Sequence, residues 1–109
     1  MGKDQLFRIA FHNNGKVYEL YCRDVISSNL WGFIEVSGLA FGEGDGLVVD
    51  PTEERMRDEF QDVEVLHLPM HSVVRVEQVQ RRGKAIIRDR ESGEKVTPFP
   101  ISPPGRPRG

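Results

Sequence analysis

The chain has 109 residues, 38% hydrophobic and 29% charged, with a net charge of −2. That length fits one domain, and the composition is too apolar for wholesale disorder. No apolar run approaches the ~20 residues a membrane-spanning helix needs, so no membrane association is expected.

The N-terminal stretch MGKDQLFRIAF lacks the apolar block of a secretory signal, because Arg8 interrupts it. The single cysteine, Cys22, cannot form an internal disulfide, and a cytoplasmic setting is expected. Charge is unevenly spread. Residues 1–80 carry 7 Lys/Arg against 14 Asp/Glu, whereas residues 81–109 carry 8 against 3. Such asymmetry suits either a basic arm or two ends that attract each other.

In chain order, LFRIAFH (6–12) alternates, with Phe7, Ile9 and Phe11 on one face, as a half-buried strand does. Asn14-Gly15 supplies the positive φ values of a tight hairpin turn, and KVYELYCRDV (16–25) is the return strand. Residues 30–41 read as a third strand, interrupted by Gly32 and Gly38, which suggest bends. GEGDG (42–46) is a turn and Leu47-Val48-Val49 a short strand.

DPTEERMRDEF (50–60) is the one convincing helix, spanning 51–60. Asp50 suits its N-cap, Pro51 its first position, and Glu53 completes an arrangement like a capping box. Met56 and Phe60 would dock on the core while Glu54, Arg57 and Asp58 face water. VEVLHL (63–68) and SVVRVEQVQ (72–80) alternate as strands on either side of a Pro69-led corner, and AIIRDRE (85–91) reads as a further short strand. From Val96 onward the chain holds five of its seven prolines, which disfavours helix and ladder alike, so 96–109 is expected to be a flexible tail.

Chemistry has no anchored constellation. His67 and His71 have the spacing of a helical metal pair, but Pro69 between them removes the helix. Cys22 sits mid-strand, and Ser27, Ser28 and Ser72 lie in no nucleophile elbow. GEGDG lacks the Gly-Lys-Ser/Thr ending of a phosphate loop. Asp45, Asp50, Glu53 and Glu54 match no standard cation loop. No catalytic residue, metal or cofactor is therefore assigned.

Two features fit binding instead. Trp31 and Phe33 flank a bend, where an exposed indole would anchor a partner and a buried one would plug the end of the fold. His71 marks a corner that is a further partner contact. The alternative is RNA or DNA binding through Arg81, Arg82, Lys84, Arg88 and Arg90 with the tail residues Arg106 and Arg108. The nine carboxylates between Glu43 and Glu64 oppose it.

Taken together, FHNNGKVYELYCRDV, LWGFIEV, VVDPTEERMRDEF and LPMHSVVRVEQV resemble the bacterial family named domain of unknown function 1820, over about residues 6–80. The resemblance implies a cytoplasmic bacterial protein of this size and brings no catalytic residues. A looser likeness, in the Pro-led turn before the last strand of a bent sheet, is to Sm-like small barrels.

The expected fold is mainly β with one short helix, a strongly bent antiparallel sheet or small Sm-like barrel over residues 4–95. Small sheets leave edges open, which favours a homo-oligomer, most simply a dimer. The expected function is a non-enzymatic binding or regulatory module for a protein partner.

Overall fold

Alternating residues and a two-residue turn begin the sheet. The computed structural model describes residues 5–41 and 50–97; it forms β1 from Phe7–Asn13 and β2 from Lys16–Ser27. Asn14 and Gly15 both take positive φ, 55° and 79°, so the turn's twist matches that of its strands. The hairpin register runs unbroken from Phe7↔Cys22 to Asn13↔Lys16. It sets Ile9 beside Leu20 and Phe11 beside Tyr18, all four buried.

β2 is the spine of the fold. One edge pairs with β1; the other serves two strands in succession. Its first part, Lys16 to Glu19, pairs with β6 (Ile86–Asp89), and its later part, Tyr21 to Ser27, pairs with β3 (Phe33–Ala40). β3 in turn pairs with β4 (Val65–Pro69). A single 3-10 turn, Met70–Ser72, then leads into β5 (Val73–Gln78), which returns to β1. The order β4-β3-β2-β1-β5 is antiparallel throughout. No ladder joins β4 to β5 among the described residues, so the sheet is open rather than a closed barrel.

The helix α1 is Pro51–Glu59. The Asp50 carboxylate accepts from the N–H groups of Thr52 at 3.0 Å and Glu53 at 3.4 Å, meeting two donors that a helix start leaves unpaired. Met56 and Phe60 reach the core formed by Ile9, Phe11, Tyr18 and Leu20, as their spacing of four requires. Tyr18 stands edge-on to Phe60 and donates its hydroxyl to Glu59 at 3.1 Å. Burial, then the Glu59 charge, raise the Tyr18 pKa.

Two expectations are corrected. Leu30 and Trp31 are not strand residues, because Ser28 and Gly32 close a turn instead. Ser28 N–H donates to Phe33 O at 3.1 Å, Leu30 N–H donates to Ser28 Oγ at 2.9 Å, and Gly32 has φ 79°. Val96, expected to open an extended tail, pairs with Ile87 in a two-residue strand β7 (Lys95–Val96). The turn at Gly93, φ 77°, folds the chain back before the first proline of the C-terminal run can interrupt the ladder. The expected turn at 42–46, the strand at 47–49 and most of the proline-rich segment lie outside the described residues.

Candidate interaction surface

Two loops some forty residues apart in sequence meet at one end of the sheet. The β3–β4 register sets Phe33 opposite Pro69, which brings the β2–β3 turn against the β4–β5 corner. Met70 N–H donates to Gly32 O at 2.8 Å and ties them together. The corner is closed internally by Ser72, whose hydroxyl donates to Pro69 O at 2.8 Å. Ser28 Oγ and His67 Nδ1 lie 2.9 Å apart, a side-chain link between β4 and the turn beside the backbone one.

The apolar side chains at this end point outward. Trp31 is 95% exposed, Leu30 49%, Met70 52% and Ile26, near the end of β2, 55%. Phe33 is half-buried, and His71 is exposed on the adjoining corner. Of the two placements open to Trp31, exposed or buried, the structure has the exposed one. An aromatic side chain carries about 150–250 Å² of surface, so at about 25 cal/mol/Å² a solvated indole forgoes roughly 4–6 kcal/mol available from full burial.

Trp31, Phe33 and His71, singled out separately by their residue type, thus share one end of the molecule. Leu30, Met70 and Ile26 belong with them and were not singled out. Their signal in the sequence is weak: a long apolar residue at a position where turn chemistry asks only for a polar or small one.

The basic segment looks different. Arg82 lies 3.8 Å from the Glu53 carboxylate, Lys84 Nζ lies 3.4 Å from Asp50, and Arg88 Nε donates to Glu19 at 2.9 Å. Three of the seven basic residues proposed for phosphate contact therefore already face carboxylates. Arg81 and Arg90 are exposed, while Arg106 and Arg108 lie outside the described residues. The acidic helix start attracts the basic segment that enters β6, which is one of the two meanings of the charge asymmetry.

Glu53, whose N–H donates to the Asp50 cap, also joins two elements through its side chain. It is buried, and its Oε2 accepts the buried Ala85 N–H at 2.7 Å, joining the first turn of α1 to the segment entering β6. Nothing in the sequence distinguishes this from a solvated helix acid.

Reactive groups are placed structurally. Cys22 is fully buried, and desolvation pushes its thiol up to about 11, well away from thiolate formation at neutral pH. Ser28 uses its oxygen to accept the Leu30 N–H, so its contact with His67 forms part of the turn. Among the described residues, no three His, Cys, Asp or Glu side chains come together as metal ligands would, and no helix is long and apolar enough to cross a membrane.

The family described as Domain of unknown function (DUF1820) matches residues 5–101, and the chain belongs to it. No curated protein and no solved structure matches the chain, so the looser likeness to Sm-like barrels has no solved counterpart.

Proposed function

We propose that the domain is a non-enzymatic, cytoplasmic binding module that docks a protein partner through the rim of Trp31, Leu30 and Met70, flanked by Phe33 and His71. The observation that carries this is the nearly complete exposure of Trp31 on a turn held by its own hydrogen bonds and braced by a second loop. A preorganised aromatic anchor loses little conformational freedom on binding, and the surface it buries drives association. The partner would supply an apolar cleft that takes the indole. Nucleic-acid binding has less support, because Arg82, Lys84 and Arg88 already face acids of the same chain.

A photo-crosslinking side chain at position 30, introduced in the native host, tests this. The expected result is one dominant adduct that disappears when Trp31→Ala is combined with it. Because Trp31 is the only tryptophan, its fluorescence in the purified protein reports the same event. It should emit as a hydrated indole alone and shift to the blue when the crosslinked species is added back. Adducts indistinguishable from those of a probe at Glu54, on the helix, or persisting without Trp31, would refute the proposal.

A further inference from the structure

β5 is an edge strand, with β1 on one side and no strand on the other among the described residues. The ladder register fixes which backbone groups face outward. Val79 N–H donates to Leu6 O at 2.9 Å, and pairs then run Phe7↔Gln78, Arg8↔Glu77, Ile9↔Val76 and Ala10↔Arg75. Hydrogen-bonded and non-hydrogen-bonded pairs alternate along an antiparallel ladder. Glu77 and Arg75 therefore turn their N–H and C=O groups toward β1, and Val76 and Gln78 turn theirs away.

The side chains on this edge are self-complementary. Glu77 accepts from Arg8 Nε through Oε1 at 2.7 Å, which fixes its carboxylate, and its Oε2 lies 3.9 Å from Arg75. Val76 is 42% exposed although Ile9, its partner across the ladder, is fully buried.

We infer that β5 pairs antiparallel with β5 of a second copy of the chain, on a two-fold axis through Val76. In that register Val76 exchanges both backbone hydrogen bonds with Val76 of the second copy. Arg75 then stands opposite Glu77 of the second copy, and Glu77 opposite its Arg75, as a two-fold interface demands. Moving the axis one residue either way centres it on Arg75 or Glu77 and sets like charges directly opposite, which is destabilising. The charges at 75 and 77 thus favour this register over those centred on Arg75 or Glu77. The paired edge also removes an exposed row of backbone donors and acceptors that would invite less specific association. This surface is separate from the Trp31 rim, and Trp31→Ala is expected to remain dimeric.

The test combines light scattering with crosslinking of the full chain. Wild type is expected to be a dimer, and Arg75→Glu and Glu77→Lys each a monomer, since each sets like charges opposite in a self-pair. An equimolar mixture of the two variants should recover the dimer, because both cross-strand pairs are again opposite in sign. Independently, Val76→Cys in an otherwise wild-type chain should give a disulfide-linked dimer under mild oxidation. Val65→Cys on β4 should not, and the buried Cys22 contributes no background. A monomeric wild type, a larger ring, or no Val76→Cys crosslink in folded protein would overturn the inference. So would single charge variants that stay dimeric.

Discussion

Replacing Glu53 with alanine should reveal how much of the fold depends on one buried carboxylate. Its Oε2 accepts the Ala85 N–H at 2.7 Å, and Ala85 is itself buried. A hydrogen bond to a charged acceptor contributes roughly 1.5–3 kcal/mol, and the buried Ala85 N–H would lose that partner. The Arg82 guanidinium, 3.8 Å away and partly exposed, adds at most about 1 kcal/mol. Glu53→Ala is therefore expected to cost about 2–3 kcal/mol. Glu53→Gln keeps an acceptor at nearly the same place and should cost about 1 kcal/mol. Arg82→Ala should cost less than about 1 kcal/mol. Urea unfolding followed by circular dichroism separates the three, since 2–3 kcal/mol moves the midpoint of a small domain by roughly 1–2 M. If Glu53→Ala lay within about 0.5 kcal/mol of wild type, or if Gln were as damaging as Ala, the bond to Ala85 would not hold α1 to β6, and the reasoning would fail.

Other outcomes follow from single sites. Trp31→Ala should leave stability within about 0.5 kcal/mol of wild type by the same urea assay, because the indole touches little of its own domain. Gly38 has φ 69° inside β3, and a Cβ there would sit 2.8 Å from Arg23 Cβ, so Gly38→Ala should cost about 2–3 kcal/mol. Cys22 should resist thiol reagents in native buffer at pH 8 and react once urea unfolds the chain, which a timed colorimetric thiol assay would show. Asp89 accepts from the N–H groups of Ser92 at 3.0 Å and Glu91 at 2.8 Å, which hold its carboxyl below the usual aspartate range. Its folded value lies below the unfolded one, so its stabilising contribution is present above about pH 4 and fades as pH falls through the depressed value. The stability gap between wild type and Asp89→Ala should accordingly be larger at pH 7 than at pH 3.

The elements written in local chemistry were legible. Asn14-Gly15 has the turn that its φ values demand, Asp50-Pro51 starts the helix, and Met56 and Phe60 reach the core at helical spacing. Pro69 ends β4 and leads into the 3-10 turn, which is why His67 and His71 never become a helical pair. What could not be read depends on long-range pairing. The splitting of one β2 edge between β6 and β3 has no local signature, since each partner strand merely alternates. The bond from Ala85 to Glu53 spans 32 positions, and a carboxylate in a first helical turn is ordinarily explained by the helix alone. Leu30 and Trp31 read locally as strand residues because both are large and apolar. The bonds of Ser28 and the positive φ of Gly32 make the turn, and the tertiary bond from Met70 to Gly32 braces it.

That reversal bears on function. A turn closed by Ser28 and Gly32 and braced through the Gly32 carbonyl needs no tryptophan: the hydroxyl of residue 28 and the backbone make its bonds, and a polar side chain at position 31 would keep them all. Scattered exposed apolar residues are ordinary, since there is too little polar surface to cover a small domain. Trp31, Leu30 and Met70 are not scattered: the bond that joins two distant loops sets them at one end of the sheet. Meanwhile Asp50, Glu53 and Glu19 stand beside Lys84, Arg82 and Arg88, so three of the seven basic residues named for an external phosphate are matched within the chain. Folding alone accounts for these charges but not for the indole. The apolar rim is therefore the surface that the proposed partner would cover.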